Sequence, residues 1–307
     1  MTEIRVATAA DESGILAVWD EAFGEPDMVP RWRLDPNRRS WTLVAVDGDD
    51  VLGAVSLVDQ RRRSANGRIA PVLGLANVGV AVRARGRGIA RALTDESVAF
   101  GRRAGYDWSL LFTGTPGVYA PSGYEPFGQR RRRVGALLTN TEAAGRPARL
   151  RAGGAELLAA PGIAALHDRD ADRPLTAVRD ALGWRRTLSW YADCRIHVLD
   201  GANGTPAAYA VTRVGDEPAL LEAAGDRTSL AALGHVIREE LLRSGAATVS
   251  VEVPSGEPYD DLVARLVADA VPAPDDTGMF HPLDADAAVV RETLDHPRAF
   301  HWTGDYL

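Results

Sequence analysis

The strongest constraint on what this chain of 307 residues can become is that it runs through one plan twice. In the first half an amphipathic segment, Asp11 to Phe23, gathers Ile15, Leu16, Val18, Trp19, Ala22 and Phe23 on one helical face. "SWTLVAVDGDDVLGAVSLV" reads as two strands folded about Asp47 and Gly48, and "LANVGVAV" (75–82) as a third. A helix starting near Gly88 carries Ile89, Ala92, Leu93 and Phe100 inward and stops at Gly105, and "DWSLLF" (107–112) follows as a buried strand. The second half repeats the order: a hairpin about Asn203-Gly204, the strand "PALLEAA", the helix "SLAALGHVIREELLRSG", the strand "ATVSVEVP" and the helix "YDDLVARLVAD". The two hairpins lie about 155 residues apart, which marks a tandem duplication of one α/β domain. The expected organisation is a domain over residues 1–140, a linker over 141–150 and a second domain over 151–307, each a mixed, mainly antiparallel sheet flanked by helices.

Composition removes several chemistries. The single cysteine, Cys194, excludes a disulfide framework and a thiolate zinc site, and is expected to pack at a strand start. The histidines show no ligand spacing, so no metal is expected, and His281, His296 and His301 read as surface or interdomain residues. All 35 basic residues are arginine, which removes a P-loop lysine and a Schiff-base lysine, and the hydrolase pattern G-x-S-x-G is missing. The polar start "MTEIRVATAADESG" and the lack of a long apolar run predict a cytoplasmic protein with no membrane partner. A formal charge of -7 disfavours nucleic acid and draws in cations. Two arginine runs, 61–63 and 130–133, read as solvated loop or edge-strand charge.

The two halves differ where chemistry would sit. After its third strand the first has "VRARGRGIARAL", the second "AAGDRTSLAALG". A strand ending at Val82, a loop with Gly86 and Gly88, and a helix opening at Ile89 aim unpaired backbone N–H groups at one small volume. The helix dipole favours an anion there, and Arg83, Arg85 and Arg87 can add charge-assisted bonds to phosphate oxygens. A dinucleotide loop would need glycine where Arg91 stands.

Arg83-Ala84-Arg85-Gly86-Arg87-Gly88 resembles the R/Q-x-x-G-x-G/A acetyl-coenzyme A loop of the GNAT superfamily of N-acetyltransferases, and the resemblance covers about residues 1 to 135. Within that superfamily the likeness is to the enhanced intracellular survival type, tandem GNAT proteins whose second copy has lost the loop. "YAPSGY" matches that type's Y-x-x-x-G-Y/F at Tyr119, Gly123 and Tyr124. The resemblance implies that acetyl-coenzyme A is the co-substrate, held by the backbone of Val80, Ala81 and Val82 and by Arg83, Arg85, Gly86, Arg87, Gly88 and Ile89. It implies that Tyr119 reprotonates the coenzyme A thiolate, a role open to a phenol that is protonated at neutral pH. Phe23, Asp27 and Trp32, with Glu25 in reserve, are expected in the acceptor cleft. In relatives the general base is the C-terminal carboxylate, delivered by a sterol-carrier-like domain that this sequence lacks. The tail "FHWTGDYL" is therefore expected to dock toward the active site and present the carboxylate of Leu307.

The implied function is direct acetyl transfer to the primary amine of a small, cationic metabolite or antibiotic. A peptide, protein or longer-chain acyltransferase and a non-catalytic coenzyme A-binding regulator stay open, as does a homo-oligomer.

Overall fold

In chain order the elements are β1 (Glu3–Val6), α1 (Glu12–Phe23), α2 (Met28–Arg33), β2 (Thr42–Asp47), β3 (Asp50–Arg63), β4 (Ile69–Val80), α3 (Ile89–Arg103), β5 (Trp108–Phe112), β6 (Glu125–Pro126), β7 (Gln129–Leu137) and β8 (Leu150–Gly153). There follow α4 (Ile163–His167), α5 (Ala181–Trp190), β9 (Arg195–Asp200), β10 (Pro206–Arg213), β11 (Ala219–Gly225), α6 (Arg227–Arg243), β12 (Thr248–Val251), α7 (Tyr259–Leu266), β13 (Val267–Asp275), β14 (Gly278–Pro282) and α8 (Ala287–Asp295). This is a computed structural model, and it describes residues 2–25, 27–139, 147–170 and 172–306.

The strands form two seven-stranded sheets, ordered β1-β2-β3-β4-β5-β14-β6 and β8-β9-β10-β11-β12-β7-β13. The orders are equivalent position by position. In both sheets the third and fourth strands are antiparallel, the fourth and fifth parallel, and the strand after the fifth antiparallel again. The duplication read from the sequence is thus present in three dimensions.

Its boundary is not where the sequence suggests. The sixth position of each sheet is filled by a strand from the other half of the chain: β14 lies between β5 and β6, and β7 between β12 and β13. The compact units are accordingly interleaved, the first running to Gly128 and adding Asp276–His296, the second comprising Gln129–Asp275 and Pro297–Tyr306. Of the expected linker, 141–150, residues 141–146 lie outside the described residues. Met279 and Phe280 of β14 are buried at 1% and 0% exposure in the first unit, so a fragment cut at residue 140 loses an internal strand and two core side chains. Such a fragment should show no cooperative thermal unfolding, whereas the full chain should; circular dichroism melts compare them.

The arginine runs change meaning with this topology. Arg62 and Arg63 end β3, paired to β4 and buried at 0% and 8% exposure, with Arg62 Nη2 donating to Gln60 Oε1 (2.6 Å). Arg132 and Arg133 lie in β7, an internal strand, where Arg132 Nε donates to Ser250 Oγ (3.0 Å) and Arg133 to the Val253 carbonyl (3.3 Å). The solvated reading holds for the exposed Arg61 and Arg132 but fails for Arg62, Arg63 and the half-buried Arg133, because charge density in a sequence does not register which neighbours offer carbonyls and hydroxyls. Two element bounds also differ. β4 starts at Ile69, not Leu75; Pro71 fits because it stands one residue before β5 pairing begins at Val72, and on that side only its carbonyl is used, by the Asp107 N–H (3.0 Å). α7 ends at Leu266, where the chain becomes β13, an edge strand that tolerates Pro272 and Pro274.

In the first unit α1 buries Ile15, Val18 and Trp19, and Trp19 meets Trp32 edge-on with centroids 5.4 Å apart. In the second unit the tail is structural. Phe300 and Trp302 belong to its apolar core, and the turn Thr303–Asp305 packs on α5 and β11. There Arg179 forms a two-bond fork with Glu222 (2.8 Å each) and a third bond to Asp305 (2.6 Å), with all three side chains at most 2% exposed. β11 and β12 pair only at Ala219–Leu220, and the tail occupies the region where they part, with Thr303 Oγ1 donating to Glu252.

Candidate active site

A break in pairing makes the site. β4 and β5 are bonded only over Val72–Gly74 and Trp108–Leu110; beyond that they part. A bulge in β4 accompanies the parting: Ala54 faces Gly79 and Ser56 faces Ala76, so Asn77 and Val78 stand opposite the single residue Val55. Asn77 takes φ 53°, a left-handed conformation that asparagine tolerates, and its carbonyl accepts the Trp19 indole N–H (2.7 Å). The unpaired edge of β4 therefore faces a wedge-shaped space inside the sheet. Along that edge Ala81 gives its N–H to the Leu52 carbonyl (2.9 Å), so by strand alternation the N–H groups of Val80 and Val82 point the other way.

At the end of β4 the chain makes a single 3-10 turn, Val82–Ala84, and enters the glycine loop. Gly86 and Gly88 both take φ 77°, which a Cβ would strain, and Gly88 stands at the N-cap of α3 with no side chain capping it. Ala92 is the first α3 amide to bond back, to the Gly88 carbonyl (3.0 Å), so the amides before it point out of the helix end. Arg85, Gly86, Arg87 and Gly88 are exposed. Arg83 is engaged elsewhere: it pairs with Asp50 and donates to the Val51 carbonyl (3.2 Å).

The loop after β5 carries two tyrosines with different duties. Ser109 Oγ spends its proton on the Leu73 carbonyl (2.8 Å), so the 2.6 Å contact between Ser109 Oγ and Tyr124 Oη requires Tyr124 to donate. Tyr124 is 2% exposed and its proton is committed inside the core. Tyr119 is half-buried, edge-on to Tyr124 at 6.3 Å. Burial pushes its pKa up, with a smaller opposing effect from the nearby Thr113 hydroxyl, so Tyr119 stays protonated at neutral pH.

On the lip of the wedge, Phe23 ends α1 and is 42% exposed. A Cβ on Gly79 would lie 3.4 Å from its ring and 2.9 Å from Trp19, so the absence of a side chain at Gly79 lets both rings lie on β4. Asp20, Glu21, Glu25 and Asp27 surround this lip, all exposed. Glu21 accepts the Val82 N–H (3.0 Å), and Asp27 pairs with Arg31 (3.6 Å).

Residues 3–127 match the family model described as an acetyltransferase (GNAT) domain. The chain carries a GNAT acetyltransferase domain. In fold the whole chain is similar to a GCN5-related N-acetyltransferase from Anabaena variabilis, at 16% identity and TM-score 0.73, covering 95% of this chain and 75% of that one. It is similar in the same way to a GCN5-related N-acetyltransferase from Kribbella flavida, at 20% identity and TM-score 0.69 over 92% of this chain and 71% of that one. Eis1 from Mycobacterium abscessus aligns at 21% identity and TM-score 0.64, over 94% of this chain and 75% of that chain. No curated protein sequence gives a significant match. The protein is an acyltransferase with two GNAT-like sheets.

Of the expected site residues, Val80 and Val82 lie at and just beyond the end of β4, Gly86, Gly88 and Ile89 in the loop and α3 start that follow it, Phe23 beside Gly79 of β4, and Tyr119 in the loop after β5. Trp32 does not join them: that side chain is 6% exposed, donates to Thr42 Oγ1 (3.0 Å) and is a core residue. Leu307 lies outside the described residues, and the tail before it packs in the second unit. Cys194 is half-buried with its pKa pushed up to about 11 by burial, the opposite of an activated thiol. Among the described residues no cluster of metal-ligating side chains occurs, and no helix is long and apolar enough to cross a membrane. Ser109, Thr113, Glu21 and His281 belong to the site's surroundings without a readable sequence signal; Asn77, a polar residue inside an apolar strand, was the visible one.

Proposed function

We propose that the GNAT domain transfers the acetyl group of acetyl-coenzyme A directly to the primary amine of a small cationic molecule. The observation that carries the reading is the conjunction, in one unit, of an open β4 edge, a left-handed glycine pair at an uncapped helix start, and a protonated tyrosine in the loop after β5. The exposed amides before Ala92, with Arg85 and Arg87, suit a pyrophosphate. The Val80 N–H suits the pantetheine arm or the thioester oxygen. Val82 N–H already has a carboxylate acceptor in Glu21, so a donor molecule reaching it must displace that side chain.

The transfer balances simply. The neutral amine attacks the thioester carbon, the C–S bond breaks as the C–N bond forms, and the departing thiolate takes the Tyr119 proton. The ammonium proton goes to a base, for which the Leu307 carboxylate remains the proposed group. Because Phe300 and Trp302 are core residues, truncating the tail would confound that test. Appending one glycine after Leu307 moves the carboxylate alone and should lower kcat with the melting temperature unchanged.

The acidic rim of Asp20, Glu21, Glu25 and Asp27 supports a cationic acceptor held near Phe23, where a ring face and carboxylates can share one ammonium. A thiol-release assay with acetyl-coenzyme A against aminoglycosides, polyamines, amino sugars and peptides tests the reading. Polyvalent cationic small amines should give the highest kcat/KM. Faster release with peptides would move the acceptor class, and thiol release with none of them would sink the enzyme reading proposed here.

A further inference from the structure

The loop that carries Tyr119 has little structure of its own. Between β5 and β6 it makes two single 3-10 turns, Pro116–Val118 and Ala120–Ser122, with Tyr119 at the joint. Three hydrogen bonds tie it to the β14 segment, which comes from the far end of the chain. Two are backbone bonds at its ends, Thr113 N–H to the Thr277 carbonyl (2.8 Å) and Phe127 N–H to the Gly278 carbonyl (3.0 Å). The third is a side-chain bond at its middle: His281 Nδ1 lies 2.7 Å from the Gly123 carbonyl.

We propose that His281 is a positioning residue for Tyr119, fixing the loop from which the phenol is presented to the thiolate. The inference rests on the reading of Tyr119 as proton donor. The geometry is specific. A carbonyl only accepts, so Nδ1 carries the proton, and Nε2 is left to receive Arg102 Nη2 from the end of α3 (3.2 Å). Both ring nitrogens are used, in one orientation. Gly123 takes φ 85°, and a Cβ there would stand 2.7 Å from the imidazole, so glycine and histidine fit each other at this point. The Gly123 peptide is also the closing link of a ring of hydrogen bonds on Tyr119: Ser122 N–H (2.9 Å) and Tyr124 N–H (3.4 Å) both reach the Tyr119 carbonyl. Holding the Gly123 carbonyl therefore holds the main chain at Tyr119. The imidazole also lies against Tyr124, centroids 5.5 Å apart, backing the ring on which Tyr119 rests edge-on.

The test uses the full chain and the acetyl-coenzyme A thiol-release assay. His281→Leu removes the donor and should lower kcat by on the order of tenfold to a hundredfold, the size of a misplaced catalytic group. KM for acetyl-coenzyme A should stay within about twofold, because the glycine loop is held by other strands. His281→Asn carries an amide N–H at the Nδ1 position and should recover most of the kcat. His281→Gln, with its amide at the Nε2 position, should not. The Asn against Gln comparison stands even if His281→Leu does not fold. Tyr119→Phe run alongside separates the two readings. If it turns over normally, the donor reading falls and this inference with it. If it is slow while His281→Leu is not, or while Asn and Gln behave alike, His281 has no positioning role and the donor reading survives.

Discussion

Replacing Tyr119 with phenylalanine should lower kcat by about a hundredfold to a thousandfold while leaving KM for acetyl-coenzyme A nearly unchanged, in line with the loss of a general acid. The ring and its edge contact with Tyr124 survive the change, so the fold should too. What disappears is the phenol hydroxyl and the proton it carries. Tyr124 cannot take over, because its own proton is fixed on Ser109 Oγ in the core. The same geometry predicts an opposite pattern for Tyr124→Phe: a cost in stability of about 1 kcal/mol for a lost buried hydrogen bond, and turnover largely kept. The sign of the pH dependence follows from the raised Tyr119 pKa. The acid form is full at neutral pH and is depleted only as pH rises toward and beyond the ordinary phenol range, so an alkaline fall in kcat should be present in the parent enzyme and absent in Tyr119→Phe. Initial rates of thiol release from pH 7 to 10.5 measure both. A phenylalanine variant with full turnover and an unaltered profile would remove Tyr119 from the mechanism.

What was legible in the sequence and what was not divides along a physical line. Local signals translated well. The apolar face of α1, the Gly48 and Gly204 hairpins and the helix opening at Ile89 are short-range matters of periodicity, turn chemistry and φ, and each lies close to its expected place. The shape of the loop before α3 was readable for the same reason, since glycines at 86 and 88 announce a backbone conformation directly. Partners distant in sequence were not readable. Nothing in "RRRR" says that β7 will lie between β12 and β13 with carbonyls waiting for Arg133, and nothing in "GMFHP" says that it completes a sheet begun more than a hundred residues earlier. Trp32 misled because a tryptophan in a proline-bearing loop looks available, whereas Trp19, Thr42 and Arg38 enclose it. His281 was set aside for lacking a metal spacing, yet its partner is a main-chain carbonyl 158 positions away, a contact with no pattern to find.

The second large effect belongs to the other unit. Arg179→Met should destabilise the protein by about 3–5 kcal/mol, because it leaves Glu222 and Asp305 buried without the guanidinium they share. Glu222 is fully enclosed, and burial alone would raise its pKa. The Arg179 fork and the neighbouring His167 outweigh that and hold it well below the carboxylate range, while the hydroxyls of Tyr209 (2.6 Å) and Tyr191 (2.8 Å) donate to it. A group whose folded pKa is depressed contributes stability above its unfolded pKa, near 4.3 for glutamate, and loses it as pH falls through that value toward the folded one. The parent should therefore lose melting temperature steeply below about pH 4.3, where Glu222 must be neutralised beside a buried guanidinium. In Arg179→Met the carboxyls take up protons more readily, so the gap between variant and parent should be widest near pH 7 and close as the solution is acidified. Thermal melts from pH 7 to 3 test this; a gap independent of pH would mean that the cluster contributes packing alone. The same cluster orders the tail of this unit: Arg179 anchors Asp305, and Gly304 N–H is held by Tyr191 Oη (2.7 Å).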